Sequence, residues 1–151
     1  MDNLMDQTLI PRILISLVAV AISIGPMFAD FNKTHATNPL WTPHARFHVV
    51  WQVLCQTGVS LVVLYLLWVP STEHLQHVWI AASLTFVWGG SFYATMASMP
   101  LYGGTLADVN GIKPFKFKIM GKVKLVDTNV FGGTLLMLVN GVACYMLMRL
   151  P

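Results

Sequence analysis

Charged residues are scarce in this sequence. The 151 residues include nine Lys and Arg and six Asp and Glu, so charged residues make up only 10% of the chain. Soluble globular domains usually carry about a quarter. Since 56% of the residues are hydrophobic, the composition argues against a soluble globular fold and predicts an integral membrane protein.

Cysteines, repeats and nucleotide-binding motifs are also few or missing. The two cysteines, Cys55 and Cys144, both lie in apolar runs, so we expect no disulfide framework. There is no glycine-rich phosphate loop and no internal repeat. A net charge of +3 is too sparse for binding nucleic acid. In so apolar a chain we expect the positive charge to contact membrane lipids and to set the topology.

Four long apolar segments are present. A helix needs about 20 mostly apolar residues to cross the hydrocarbon core of a bilayer. Segments of this kind cover residues 13–29, 47–69, 78–99 and 130–148, and none contains Asp, Glu, Lys or Arg. We therefore predict an all-α integral membrane fold, a bundle of four transmembrane helices that forms a single domain over residues 1–151.

The positions of lysine and arginine predict the orientation of these spans. Arg12 and Arg149 lie on one side of the predicted membrane. The other seven lie in or beside loops one and three: Lys33, Arg46, Lys113, Lys116, Lys118, Lys122 and Lys124. The positive-inside rule then places loops one and three in the cytoplasm and both termini outside. In any four-span chain these two loops share a face.

The second span has a clear start and a polar stripe. Thr42 is expected to cap the helix, with Pro43 at its first position. Four polar side chains then recur at every fourth residue: His44, His48, Gln52 and Gln56. Such spacing predicts one stripe, which should face the bundle interior because lipid would penalise it.

Polar and small residues on the other spans predict helix contacts. Asn140 should lie as deep as Gln52 and hydrogen-bond the second helix. Gly90, Ala94 and Ser98 form a small-residue ridge on the third helix, against which another helix could pack closely. Such a ridge suits a homo-oligomer or a larger membrane complex.

The third loop contains a predicted extramembrane β-hairpin. Apolar residues and lysines alternate in residues 115–119 and 122–126, on either side of Met120-Gly121. We expect one face to be all lysine and the other all apolar. Two interpretations remain open: the hairpin lies at the membrane interface with its lysines toward phosphates, or it packs over the helix ends with its lysines solvated.

The polar residues are densest between the first two spans. Residues 30–48 hold three of the five histidines. Asp30, His35, His44 and His48 are the candidate catalytic residues, and the same four are the candidate ligands of a single metal ion. The candidate substrate-binding residues are Asn32, Asn38, Arg46, Gln52 and Asn140.

Three interpretations of this cluster compete. In a metal site, His44 and His48 at i and i+4 would chelate one ion, whereas a bis-histidine haem is disfavoured because the third and fourth spans contain no histidine. In an acid–base site, a carboxylate such as Asp30 would orient a histidine beside an apolar pocket. In a structural site, the polar groups would only satisfy backbone ends between two helices.

The segment NKTHATNPLWTPHARFH resembles the signature of a family of small four-span membrane proteins with no assigned activity. The similarity rests on these residues: Asn32, His35, Asn38, Pro39, Trp41, His44, Ala45, Arg46, Phe47 and His48. It implies a fold but no mechanism. The architecture is also loosely similar to sterol-isomerase-type four-helix membrane proteins, but this chain lacks their intramembrane glutamates.

These observations predict a membrane protein that binds or transforms a lipophilic small molecule. In this hypothesis the histidines and Asp30 supply proton or metal chemistry, while Arg46 and Gln52 orient the substrate. The alternative is a non-catalytic accessory subunit of a larger membrane complex.

Overall fold

The computed structural model describes residues 7–150. Within this range the chain forms four helices and one antiparallel β-hairpin. The helices are α1 (Leu9–Asp30), α2 (Pro43–Trp68), α3 (His74–Tyr102) and α4 (Thr128–Leu147). The strands are β1 (Phe115–Ile119) and β2 (Lys122–Val126), which precede α4. The predicted helical fold with a small hairpin in the third loop is confirmed.

The helix ends follow from local capping chemistry. Thr42 accepts a hydrogen bond from the Ala45 amide at 3.2 Å, and Pro43 occupies the first turn of α2, as predicted. Asp127 caps α4 by accepting from the amides of Asn129 and Val130. Helix α3 is followed by its C-cap Gly103, whose φ of 68° is the left-handed conformation that glycine adopts without a steric penalty.

Three of the helices are long and apolar enough to cross a membrane: α1, α2 and α4. In the most apolar stretch of each, about a fifth of the residues are buried within the bundle (22%, 17% and 22%). Most of their apolar side chains therefore face outward, which is the pattern of a helix that contacts lipid. Helix α3 is longer, with 29 residues, but does not reach the same apolar content.

The bundle is tightly packed at one end only. Helix α1 packs against the other three helices, and α3 packs against α2 and α4. The closed end, as we call it, consists of the start of α1, the end of α2, the start of α3 and the end of α4. The main buried apolar cluster belongs to it: Ile15, Ala19, Val63, Leu67, Val78, Ala81, Ala82, Ala143 and Leu147.

Polar contacts also join the helices at the closed end. The buried Arg12 donates from Nε to the Leu67 carbonyl at 2.8 Å, which satisfies a carbonyl in the last turn of α2. Its guanidinium carbon lies 4.1 Å from the centroid of the Trp68 ring, a cation–π contact. Trp68 in turn donates to Ser16 Oγ at 3.0 Å. The opposite, open end of the bundle carries loops one and three and has no comparable apolar core among residues 7–150.

The predicted contact of Asn140 with the second helix is wrong, and no helix within residues 7–150 packs on Gly90 of the predicted small-residue ridge. Asn140 is fully buried, but it donates to the Ala82 carbonyl and to Thr85 Oγ1 on α3, at 3.1 and 2.7 Å, and not to α2. Helix α4 lies between α1 and α3, so α3 is the helix that Asn140 can reach. On α3, Gly90 is exposed, and a Cβ there would meet no atom within 4 Å. The close approach is at Gly89, where a Cβ would overlap Met137 on α4.

The predicted division of the hairpin into a lysine face and an apolar face is also wrong. The two-residue turn at Met120-Gly121 places Phe117 opposite Lys124, and Lys118 opposite Val123. Residues directly opposite each other in an antiparallel pair share a face. Each face therefore carries both lysines and apolar residues, because the register pairs Phe117 and Ile119 of β1 with the two lysines of β2.

Proline interrupts two helices in the open half of the bundle. Pro26 lies in the last turns of α1, and Pro100 lies in the last turn of α3. Each proline lacks the amide that would hydrogen-bond the carbonyl four residues earlier in the helix. Both helices continue past the proline for at least two residues.

Candidate functional site

The open end of the bundle contains a cavity of about 720 Å³. All four helices and both large loops contribute to its wall. Most of the wall is apolar or aromatic, including Trp88, Phe92, Met96, Met99 and Leu136. Cavities that bind small molecules are typically mostly apolar with a few placed polar groups. This cavity has the size and lining of such a site.

Five of its lining residues are polar or aromatic residues that the sequence analysis singled out. They are Asp30 from the end of α1, His35 and Trp41 from loop one, and Gln52 and Gln56 from α2. The Gln56 Oε1 atom is buried and has no hydrogen-bond partner within residues 7–150. A buried acceptor without a donor is costly, and a ligand could donate to this atom only after the Gln56 side chain turned toward the cavity.

His35 and Asp30 form the ionisable pair of the cavity. His35 Nδ1 lies 3.5 Å from Asp30 Oδ1 and 2.7 Å from Thr34 Oγ1. The Thr34 hydroxyl also lies 2.7 Å from Asn32 Oδ1, an atom that can only accept. Thr34 therefore donates to Asn32 and accepts from His35. We assign the neutral imidazole its proton on Nδ1, which leaves the Nε2 lone pair for a ligand.

Loop one is held rigid by its two asparagines. The Asn32 amide donates to the carbonyls of Phe28 and Ala29 at 2.8 and 3.0 Å and so caps the end of α1. Asn38 is fully buried; it donates to the Thr34 carbonyl and accepts from the Leu40 amide, both at 3.0 Å. Both side chains thus bond nearby backbone groups, those of α1 for the Asn32 amide and those of loop one for Asn38. Their predicted contact with substrate is untested, and neither lines the cavity.

A hydrogen bond joins loops one and three beside the cavity. The Trp41 indole N–H donates to Asp108 Oδ2 at 3.0 Å, and the neighbours Leu106 and Ile112 line the cavity. The Asn110 amide also donates to Asp108, at 2.8 Å. These two donors, the Asn110 amide first, lower the pKa of Asp108 because they favour its ionised form. We call the Trp41–Asp108 bond the latch.

His44 and His48 lie elsewhere. Their Nε2 atoms are 3.0 Å apart, and both side chains are exposed on the outside of α2. His48 lines a shallow depression of about 330 Å³ with Trp51, Gln52 and Cys55, so Gln52 borders both this depression and the cavity. The predicted interior stripe is therefore divided. Four residues of helix turn by about 400°, so each step rotates by roughly 40° and only the Gln52 and Gln56 end of the stripe reaches the cavity.

The four candidate metal ligands are correspondingly arranged as two separate pairs. Within residues 7–150, no three His, Cys, Asp or Glu side chains are grouped closely enough to hold one ion. The His44–His48 pair presents two adjacent nitrogen atoms. Histidines at i and i+4 can occupy two of the coordination positions of a single metal ion. The Asp30–His35 pair offers one oxygen and one nitrogen.

The remaining predicted substrate-binding residues are divided as well. Gln52 lines the cavity, as described, whereas Arg46 is half-buried in the first turn of α2 and does not line it. Asn140 lies in the packed part of α4 and is also absent from the lining.

The sequence pattern did not identify Trp41 and Asp108 as partners. They are 67 residues apart. Asp108-Val109-Asn110-Gly111 resembles an ordinary turn, and the Asn110 amide bond to Asp108 shows that it is one. Nothing in the local sequence around Asp108 indicates that its second carboxylate oxygen accepts a hydrogen bond from the Trp41 indole of another loop. The cavity-lining Thr128 and Asn129, at the start of α4, were missed for a similar reason.

Comparison with known proteins places the chain in a family but gives no activity. No curated protein and no solved structure matches it. A family model described as a family of unknown function matches residues 14–125, which extend from α1 to β2 and include loop one and most of the cavity wall. This chain is a member of that family of unknown function, DUF6640.

Proposed function

We propose that the protein spans the membrane four times and binds an amphipathic small molecule in the cavity at its open end. Three helices have the required length and apolar content. Helix α3 packs against α2 and α4, and its 29 residues extend about 43 Å. If its neighbours cross the bilayer, α3 must cross with them.

The observation that carries the proposal is the cavity itself. Its volume of about 720 Å³ lies within the range of about 300–1,000 Å³ common for small-molecule sites. Apolar residues of α3 and α4 would surround the body of the ligand. Its polar groups would meet the side chains of Gln52 and Gln56 inside the cavity and the Asp30–His35 pair at the loops. A lipophilic molecule with separated polar groups fits this arrangement.

The Asp30–His35 pair would supply acid–base chemistry. With its Nδ1 proton directed to Thr34 and Asp30, His35 can accept a proton from the ligand at Nε2. Asp30 would stabilise the imidazolium that forms, because the opposite charge lies 3.5 Å away. Since Asp30 and His35 line the cavity and His44 and His48 do not, we assign this role to the first pair.

Filling the cavity tests the proposal. Gly132 lines the cavity, and a Cβ at this position would meet nothing within 4 Å. Gly132→Leu should therefore enter open space without disturbing the packing. Small molecules that co-purify with the detergent-solubilised protein would be measured by native mass spectrometry. We expect at least a tenfold lower ligand occupancy in Gly132→Leu than in the wild type.

A second glycine on the same helix gives a matched control. Gly141 also has open space around its Cβ position, but it does not line the cavity. Gly141→Leu should keep the wild-type occupancy. Equal occupancy in the wild type and both variants would show that the co-purifying molecules bind outside the cavity and would overturn the proposal. His35→Gln should then distinguish binding from chemistry. Glutamine keeps a polar group in the cavity, so the ligand should still bind, but it removes the base, so proton transfer should be lost.

An accessory role in a larger complex is the second candidate function. Its support is the ridge of Gly90, Ala94 and Ser98, because Gly90 and Ala94 are exposed and a Cβ at Gly90 meets no atom within 4 Å. Gly90→Leu should disrupt association with a partner and leave cavity occupancy unchanged. The two candidate functions thus respond to different substitutions.

A further inference from the structure

The hairpin concentrates positive charge without compensation. Between Asp108 and Asp127 the sequence contains five lysines and no acidic residue. These lysines are Lys113, Lys116, Lys118, Lys122 and Lys124. None of them forms an ion pair within residues 7–150. The register distributes the four strand lysines over both faces of the hairpin, so the charge surrounds it.

The base of the hairpin lies level with the end of a candidate span. Phe115 and Phe117 lie with their ring centroids 5.4 and 5.9 Å from that of Phe131. Phe131 is in the first turn of α4, which is apolar enough to cross a membrane. These contacts hold the hairpin beside the end of the helix, at the depth of the lipid headgroups if α4 spans the bilayer.

The tip of the hairpin combines two unfavourable features. Met120 is 97% exposed, and its φ of 49° lies in the left-handed region that Gly, Asn and Asp favour. Gly121 follows with a φ of 79°, which completes a tight two-residue turn. A large apolar side chain is thus held outward, in a strained conformation, between Lys118 and Lys122. Contact with an apolar phase would remove the cost of exposing it to water.

We propose that this hairpin tip, residues 118–123, binds the anionic phospholipid headgroups of the membrane that holds the helices. The lysines would contact phosphates, and Met120 would reach the acyl boundary. A lysine near an anionic leaflet favours binding about fivefold. This inference depends on membrane insertion but not on a ligand in the cavity.

A spin label at the tip tests this inference. The full chain, with Cys55→Ser and Cys144→Ser, would carry the label at Met120→Cys in nanodiscs of phosphatidylcholine, with or without phosphatidylserine. Collisions with oxygen report lipid, and collisions with a water-soluble nickel chelate report water. We expect phosphatidylserine to raise the ratio of oxygen to nickel accessibility several-fold. Replacing the four strand lysines by glutamine should abolish this change, with the helical content checked by circular dichroism.

A label at Val109→Cys is the matched control. Val109 is 91% exposed in the same loop but outside the hairpin, so it should stay accessible to the nickel chelate in both lipids. An identical accessibility ratio for the Met120 label in both lipids would overturn the inference. Protection from both reagents in both lipids would do so too, because it would mean that protein covers the tip.

Discussion

His35 is the residue on which the proposed chemistry depends most, and its orientation comes from its neighbours. Thr34 and Asp30 engage Nδ1, while Asn32 fixes Thr34 and caps α1 at the same time. A capping residue and a candidate catalytic residue are thus linked by one hydroxyl. The hydrogen bonds of Asn32 and Asn38 fit the structural interpretation of this segment, and the acid–base interpretation stays a proposal for Asp30 and His35.

The latch should titrate with Asp108. Its lowered pKa means that ionised Asp108 stabilises the latch above the ordinary carboxyl pKa, and that this stabilisation is lost as the pH falls through the folded-state value. The Trp41 indole proton signal in NMR, assigned by its loss in Trp41→Phe, should shift with a midpoint below about 3.9. In Asp108→Asn the same signal should not titrate. A midpoint above the ordinary value would contradict the assigned hydrogen bonds.

The exposed histidine pair, His44 and His48, should bind a transition metal with no contribution from the cavity residues. Two adjacent Nε2 atoms suit Zn²⁺ or Cu²⁺, whose binding requires neutral imidazoles. In calorimetric titrations with Zn²⁺, we expect His44→Ala with His48→Ala to lower the affinity at least tenfold, while His35→Ala keeps it. If His35→Ala had the larger effect, the ion would instead bind at the cavity.

At the scale of elements, the sequence predicted what the helices are but not which sides they present. Thr42 and Pro43 mark the start of α2 because capping is local. By contrast, whether His44 faces lipid or the interior depends on how α2 rotates against its neighbours. The hairpin shows the same limit, because alternation predicts two strands and the turn alone sets their register.

The α3–α4 contact should be sensitive to one methyl group. Gly89→Ala would place a Cβ against the flexible Met137 side chain, which must shift to make room, so we expect a loss of about 1 kcal/mol in the free energy of unfolding. At the neighbouring Gly90, the added methyl group enters open space. Gly90→Ala should therefore raise the free energy of unfolding by up to about 1 kcal/mol, because alanine has the higher helix propensity. Both would be measured by unfolding in mixed micelles. Met137→Ala should relieve the first change, and an unchanged stability in Gly89→Ala would contradict the close packing.

On the scale of the whole molecule, the four predicted segments fall within or close to the observed helices, yet the cavity could not be foreseen. Its wall combines residues from four helices and two loops, from Ala21 to Leu136. Only tertiary packing brings such distant positions together. The apolar segments predict a bundle, but not that it is filled at one end and hollow at the other.

Four crossings can be tested by labelling single cysteines in a cysteine-free chain. Lys33→Cys in loop one and Lys113→Cys in loop three should react with an impermeant maleimide from the same side, and Ser71→Cys in the second loop from the opposite side. The positive-inside rule places Lys33 and Lys113 in the cytoplasm. Labelling of all three positions from one side would contradict four crossings.

The prolines in the last turns of α1 and α3 give the two ends of the bundle unequal resistance to local unfolding. Pro26 and Pro100 each remove one hydrogen bond from a helix in the cavity half, and the closed end has no such interruption within α1 and α3. Amide hydrogens near the ends of these two helices should therefore exchange with solvent faster than those beside the closed-end core. We therefore expect local unfolding of the helix ends that line the cavity while the helices at the closed end stay folded. A molecule could thus be admitted by local fraying, without any rearrangement of the helices as a whole.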